Sequence, residues 1–151
     1  TRATMGFRSY PKVIQKLQDK TQVFQQACPL LVPLVEEGWI DDPLSNLIIY
    51  RCLSPLIQHG IDTLVLGCTH YPFLKEAIAK VTGPHIALVD SVAGLKRQLD
   101  EDFRSGHLSR QNETQIGKVK LLTTDLSPSM EQMSQRVYHQ DTPLSFELIE
   151  F

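Results

Sequence analysis

The sequence predicts an α/β fold built on a parallel sheet, because short apolar strand-like runs alternate with segments of helical periodicity. The clearest run, residues 63–66, is too short for a helix and rich in strand formers, as buried parallel strands are. Pro72 follows it and suits the first turn of a helix. A second run at residues 86–89 predicts a further strand. Between them, apolar residues recur at helical spacing: Phe73, Leu74, Ala77, Ile78 and Val81.

Caps and chain breakers predict the elements that precede this strand. Three short elements are expected first: a helix over 9–17, a strand over 22–27 and a helix over 30–37 that ends at a glycine. Asp41 and Asp42, followed by Pro43, then form a pattern typical of a helix N-cap and first turn. This helix should run to about residue 59, and Pro55 should kink or divide it.

The pattern changes after residue 90. Ser91 is expected to cap a helix that ends near residue 103. Residues 106–117 are polar and predict an exposed loop. The remaining predicted elements are a strand over 119–123, a helix that begins at Ser127 and Pro128, and a strand over 146–149.

The composition is that of an ordinary globular protein, with 151 residues, 42% hydrophobic residues and a net charge of −2. No basic patch indicates a nucleic-acid partner. No apolar run approaches the ~20 residues that cross a membrane, and no signal-peptide pattern occurs. Three cysteines, Cys28, Cys52 and Cys68, without Cys-x-x-Cys spacing argue against a disulfide framework or a zinc site. Free thiols fit a reducing compartment, so a cytoplasmic protein is expected.

The run from Asp62 to Pro72, Asp-Thr-Leu-Val-Leu-Gly-Cys-Thr-His-Tyr-Pro, contains the residues best suited to chemistry. Cys68 should lie in the turn from strand to helix, at the carboxyl end of a strand. Ligands bind at that edge in open α/β sheets. The start of the following helix would favour a thiolate and an anionic substrate.

This run resembles the Leu-Gly-Cys-Thr-His-Tyr-Pro motif around the second catalytic cysteine of the glutamate racemases. Residues 27–38 are similar to the family's segment upstream of that cysteine, and residues 1–10 resemble its Gly-Thr-x-x-Thr turn and the helix after it. The resemblance covers the whole chain, strongly to about Asp90 and loosely beyond. It implies a protein of two similar α/β domains.

The resemblance also implies a division of the chain. Residues 1–90 would form the carboxyl-terminal racemase domain with the second catalytic cysteine. Residues 91–151 would be a crossover segment that packs on an amino-terminal domain and completes it. The family's first cysteine motif, Cys-Asn-Thr, does not occur in this sequence. We therefore expect the chain to be an incomplete part of the enzyme that is inactive alone.

By resemblance, the activity would be cofactor-independent racemisation of L- and D-glutamate, which supplies D-glutamate for peptidoglycan. Two thiols on opposite faces of the α-carbon exchange the roles of base and acid, and no pyridoxal phosphate or metal is used. Cys68 would take the proton from the L-enantiomer, His70 would assist that transfer, and Glu36 would order the site. Thr69, His70 and Thr4 would bind the substrate.

Other interpretations stay open beside this one. An aspartate racemase or a related isomerase or decarboxylase would keep the same fold, and a non-catalytic half would act as a binding module. A thiol-redox role is weaker, because no resolving cysteine lies near Cys68 in the sequence. Cys28 and Cys52 are expected to be structural, Glu36 is equally well a solvated residue, and Thr4 a helix cap. The expected partner is glutamate. A homodimer is also open, because apolar residues beyond Ser91 would be exposed or would pack on another copy.

Overall fold

The structure is a computed structural model that describes residues 2–109, 119–138 and 144–150. The chain forms two compact units, Thr1–Gln98 and Leu99–Phe151. Among the helices of the described ranges, none combines the length and apolarity that a membrane span requires.

The first unit alternates helices and strands, as predicted. Its elements are α1 (Arg2–Phe7), α2 (Ser9–Leu17), α3 (Leu31–Glu36), α4 (Pro43–Gln58), β1 (Thr63–Leu66), a 3-10 turn (Tyr71–Leu74), α5 (Lys75–Thr82), β2 (Ala87–Asp90) and the start of α6 (Ser91–Arg104). Strands β1 and β2 pair in parallel, with Thr63 opposite Ala87 and Leu66 opposite Asp90. The predicted α/β class with parallel strands is confirmed.

The core of this unit lies where α4 packs against α5 and α3 meets the 3-10 turn. On β1, Leu64 and Leu66 are buried while Thr63 and Val65 are exposed, so one face of the strand contributes to the core. The side chains that are least exposed are Leu31, Val35, Ser45, Ile49, Leu74 and Ile78. Burial of the apolar members of this set, each contributing about 1.5–3 kcal/mol, is what holds α3, α4, α5 and the 3-10 turn together.

Helix α4 begins where the sequence predicts. The Asp42 carboxylate accepts a hydrogen bond of 2.7 Å from the Leu44 N–H, and Pro43 is the first helical residue. Pro55 does not divide the helix, which continues to Gln58. Leu53 and Leu56 on either side of it are buried, and this packing offsets the backbone hydrogen bond that proline removes.

The Asp42 cap gives a testable stability effect. Asp42→Ala leaves the Leu44 N–H without its acceptor and is expected to lower the free energy of unfolding by about 1 kcal/mol. Asp42→Asn, whose amide oxygen can still accept, should remain near the wild type. Urea denaturation followed by circular dichroism measures both, and an alanine variant as stable as the asparagine variant would contradict the assigned cap.

The connection between α3 and α4 contains the chain's single tryptophan, Trp39. The backbone N–H of Trp39 donates to the Leu34 carbonyl at 2.8 Å, and the backbone carbonyl of Trp39 accepts a hydrogen bond from the Ser45 hydroxyl. Ser45 is fully buried, whereas Trp39 keeps 48% of its surface exposed. The hydrogen bonds therefore fix the backbone of this connection while the residue itself stays partly in solvent.

Two sequence predictions in this unit are wrong. Residues 22–27 form no strand; their side chains alternate between exposed and half-buried positions, but no described strand pairs with them. Alternation predicts an extended backbone, and only a neighbouring strand makes it part of a sheet. Ser91 does not cap α6; it is the first helical residue, and Asp90 accepts the capping hydrogen bonds.

The second unit pairs β3 (Val119–Thr123) with β4 (Leu144–Leu148) in parallel, with α7 (Pro128–Val137) between them in sequence. The Ser127 hydroxyl accepts from the Met130 N–H at 3.3 Å, which confirms the predicted start of α7. Of the apolar residues expected to be exposed or to pack on another copy, Leu122 and Leu148 are exposed, whereas Leu121 and Ile149 are half-buried. No described residue of α6 is buried. The predicted polar loop falls largely outside the described residues.

Candidate active site

Cys68 lies in the turn that leaves β1. Leu66 is the last residue of the strand, and the 3-10 turn begins at Tyr71. The thiol residue is partly exposed, so it is not enclosed among aliphatic side chains. A ligand that approaches the carboxyl edge of the β1–β2 pair therefore has access to it.

His70, Glu36 and Thr69 form a polar cluster beside this cysteine. The His70 Nε2 atom lies 3.4 Å from Glu36 Oε1, and His70 Nδ1 lies 3.4 Å from Thr69 Oγ1. The imidazole is 28% exposed and the carboxylate 51%. A carboxylate on one ring nitrogen orients a histidine and selects the nitrogen that holds the proton. The structure thus brings Glu36, Thr69 and His70 together, three of the predicted site residues. The side chain of Thr4 is not among those that the structure describes.

Tyr71 links the Cys68 turn to the segment before α3. Its hydroxyl donates to the Cys28 carbonyl at 3.1 Å, across residues far apart in the sequence. Burial raises the pKa of Tyr71 to about 12, and the charges of Cys28, Cys68 and Cys52 add to this effect. This hydrogen bond was not predicted from the sequence, although Tyr71 stands inside the motif that marks the site.

Cys28 is a structural residue, as expected. It is only 4% exposed, and burial, followed by the neighbouring Cys52, raises the pKa of the Cys28 thiol to about 12. A thiol held neutral is a poor base and a poor nucleophile. Compared with Cys28, the partly exposed Cys68 is therefore the better candidate for chemistry.

Gly67 allows α2 to lie against the turn. A side chain at this position would place its Cβ 3.0 Å from the Tyr10 ring. The absence of a Cβ is thus what lets the tyrosine pack over the backbone just before Cys68.

An ion pair closes the other side of the turn. Lys75, the first residue of α5, donates to Asp90 Oδ2 at 2.7 Å. The other Asp90 oxygen accepts from the N–H groups of Val92 at 2.9 Å and Ala93 at 3.1 Å. The hydrogen bond from Lys75, followed by that from Ala93, holds the pKa of Asp90 below its usual range. Within the described residues, no cluster of three or more ligand side chains could hold a metal ion.

Tyr71 and Cys28 predict a loss of stability at alkaline pH. Both keep their protons in the folded chain above the pH at which the unfolded chain loses them. The stabilisation is complete below about pH 9 and the free energy of unfolding falls towards pH 12, because the unfolded chain then binds fewer protons. Tyr71→Phe should reduce the part of this fall that lies between pH 10 and 12.

The measurement is urea denaturation at a series of pH values. At neutral pH, Tyr71→Phe should cost about 1 kcal/mol, because the Cys28 carbonyl loses the hydrogen bond from the Tyr71 hydroxyl and keeps the one from the Leu31 N–H. Tyr50→Phe, at a tyrosine of α4 that is 57% exposed, is the matched control and should keep the wild-type profile. Identical alkaline profiles for the wild type and Tyr71→Phe would show that Tyr71 contributes nothing to the fall.

Comparison with known proteins identifies the family. No family model matches the chain. A glutamate racemase from Syntrophus aciditrophicus (strain SB) is 39% identical over 143 residues, which cover 95% of this chain and 53% of that protein. The crystal structure of a glutamate racemase isoform from Bacillus anthracis matches 98% of this chain and 54% of its own, with a TM-score of 0.83 and 27% identity. Glutamate racemase from Francisella tularensis subsp. tularensis SCHU S4, solved with D-glutamate, matches 99% and 55%, with a TM-score of 0.82 and 27% identity.

These relatives, and the parallel-stranded α/β unit that the chain shares with the solved structures, place it among the amino-acid racemases. More narrowly, it belongs to the glutamate racemase family. The chain spans about half the length of the curated relatives it matches.

Proposed function

We propose that this chain supplies one of the two acid–base groups of a cofactor-independent glutamate racemase. The observation that carries the proposal is Cys68, partly exposed at the carboxyl edge of the parallel strands, next to a histidine that faces Glu36. The family relationship supports glutamate as the substrate, since the Francisella relative was solved with D-glutamate. In the cell the product would be D-glutamate for peptidoglycan, made in the cytoplasm.

In this mechanism Cys68 acts as a thiolate and removes the α-proton of L-glutamate. In the reverse direction, its thiol returns a proton to the same face of the α-carbon. Glu36 holds His70 in one orientation, and His70 assists proton transfer at Cys68. Thr69 and Thr4 contribute hydroxyl groups to substrate binding.

The opposite face of the α-carbon requires a second acid–base group. Cys28 does not suit this task, because it is buried and its pKa is raised to about 12. The resemblance implies a cysteine from the part of the relatives that this chain does not match. We accordingly propose that residues 1–90 carry the Cys68 site and that residues 91–151 cross over to pack on that other part.

The test compares residues 1–151 with a protein that contains them at the full length of the family. Each is assayed for interconversion of L- and D-glutamate and for uptake of solvent deuterium at the α-carbon, with aspartate as the competing substrate. We expect activity on glutamate only from the full-length protein. Racemisation by residues 1–151 alone would show that a second base lies within this sequence, and a preference for aspartate would contradict the proposed substrate.

A further inference from the structure

We propose that Asp90 is a positioning residue for the Cys68 site, because its carboxylate and its backbone together fasten both ends of the segment that contains Cys68. The inference rests on the proposed function only in taking Cys68 as the reactive group. Its geometry is that of β1, β2 and the ion pair between Lys75 and Asp90.

The first attachment is made by the backbone. In the parallel register, Leu66 at the end of β1 stands opposite Asp90 at the end of β2. The Cys68 segment, residues 67–74, therefore leaves the sheet beside Asp90. The pairing of Leu66 with Asp90 fixes where the segment starts. It does not by itself fix the position of the other end of the segment.

The second attachment is made by the side chain. Lys75 directly follows the Cys68 segment, and its Nζ atom donates to Asp90 Oδ2 at 2.7 Å. The Asp90 side chain is only 4% exposed, although that of Lys75 is 45% exposed. Both ends of the Cys68 segment are thus attached to Asp90, one end by strand pairing and the other by the ion pair with Lys75. The carboxylate that makes this ion pair is largely shielded from water.

The other carboxylate oxygen extends this arrangement to α6. Oδ1 accepts from the N–H groups of Val92 and Ala93, so one carboxylate serves both Lys75 and the first turn of α6. Oδ2 accepts from Lys75 and Oδ1 accepts from the α6 N–H groups. A substitution can therefore remove one interaction and keep the other. Asp90→Asn can keep its amide oxygen on the α6 N–H groups while it loses the negative charge that faces Lys75.

Helix α5 offers a matched control. Lys80 on the same helix pairs with Asp41 at 3.0 Å, but both side chains are well exposed, at 59% and 79%. Exposed ion pairs contribute little, and this one joins Lys80 to Asp41 and does not involve Asp90. Asp41→Asn therefore removes a carboxylate from another lysine of the same helix and leaves the Lys75–Asp90 pair in place.

The experiment uses residues 1–151 without substrate and compares Asp90→Asn, Lys75→Met, Lys75→Arg and Asp41→Asn. Hydrogen exchange of residues 67–75 and site-resolved alkylation by iodoacetamide are measured by mass spectrometry. In Asp90→Asn and Lys75→Met, we expect exchange of this segment to accelerate about five-fold and Cys68 alkylation to change about two-fold or more, as for loss of one charged hydrogen bond. Asp41→Asn should match the wild type, and Lys75→Arg should restore it.

Cys52 serves as the internal reference, because it is partly exposed on α4. A variant that merely destabilises the fold would speed alkylation of Cys52 together with Cys68, whereas lost positioning changes Cys68 alone. Lys75→Met leaves the α6 cap in place and decides the matter if Asp90→Asn does not fold. The proposal is overturned if Lys75→Met behaves like Asp41→Asn, or if Cys52 and Cys68 change together. These readouts need no racemase activity, so they stand apart from any failure of the proposed function.

Discussion

Cys68→Ala is expected to abolish interconversion of L- and D-glutamate in the full-length protein, with a loss of roughly 10³-fold or more, because general acid–base groups contribute on that order. Substrate binding should change far less, because Thr69, His70 and Glu36 remain. The measurement is the rate of enantiomer exchange in both directions, followed by circular dichroism. Exchange of the α-proton by the second base alone can survive and is read from deuterium uptake in each direction.

Cys52→Ala is the control for this experiment. It removes a partly exposed cysteine from α4, outside the proposed machinery, and should retain activity near the wild type. If Cys68→Ala still racemises glutamate in both directions, Cys68 is not an essential base. Equal losses in both variants would point to a general effect of thiol removal and not to a role in proton transfer.

Ile49→Ala is expected to lower the free energy of unfolding by about 3 kcal/mol, the largest stability effect among the variants considered. Ile49 has no exposed surface and lies in α4, the helix that packs against α5. Its truncation removes apolar contacts and leaves a cavity that the surrounding helices fill only in part. Urea denaturation followed by circular dichroism measures the loss.

Leu47→Ala on the same helix is the matched control. Leu47 is 62% exposed, so its truncation should change stability by less than about 0.5 kcal/mol. The pair separates burial from helix propensity, since both changes place alanine in α4. Equal losses at the two positions would mean that α4 does not present Ile49 to the core.

Local patterns predicted the elements whose causes are local. Asp42 and Pro43 mark the start of α4, because the cap is made by residues adjacent in the chain. The β1 strand and the turn that contains Cys68 were predicted for the same reason. The apolar run is too short for a helix, and Pro72 marks the start of the next helical segment. Glu36 lies far from Thr69 and His70 in the sequence, and local patterns do not show that they meet. Only the resemblance to the glutamate racemases assigned all three residues to one site.

Features that depend on distant partners could not be predicted. Residues 22–27 have the alternation of a strand, yet strand assignment needs a neighbour that the pattern does not supply. Asp90 caps α6 in place of Ser91 through local hydrogen bonds, but its ion pair with Lys75, made by the other carboxylate oxygen, depends on the folded unit. The hydrogen bond from Tyr71 to the Cys28 carbonyl likewise joins segments whose proximity exists only in the folded unit.

The position of Trp39 gives this chain a built-in optical label. Trp39 is the single tryptophan of the chain and stands three residues after Glu36. Its backbone forms hydrogen bonds with Leu34 and Ser45. Its fluorescence therefore reports on the unit that contains the site, since Leu99–Phe151 has no tryptophan. A melting curve from tryptophan emission that departs from one recorded by far-ultraviolet circular dichroism would reveal two units that unfold separately, in place of one cooperative transition.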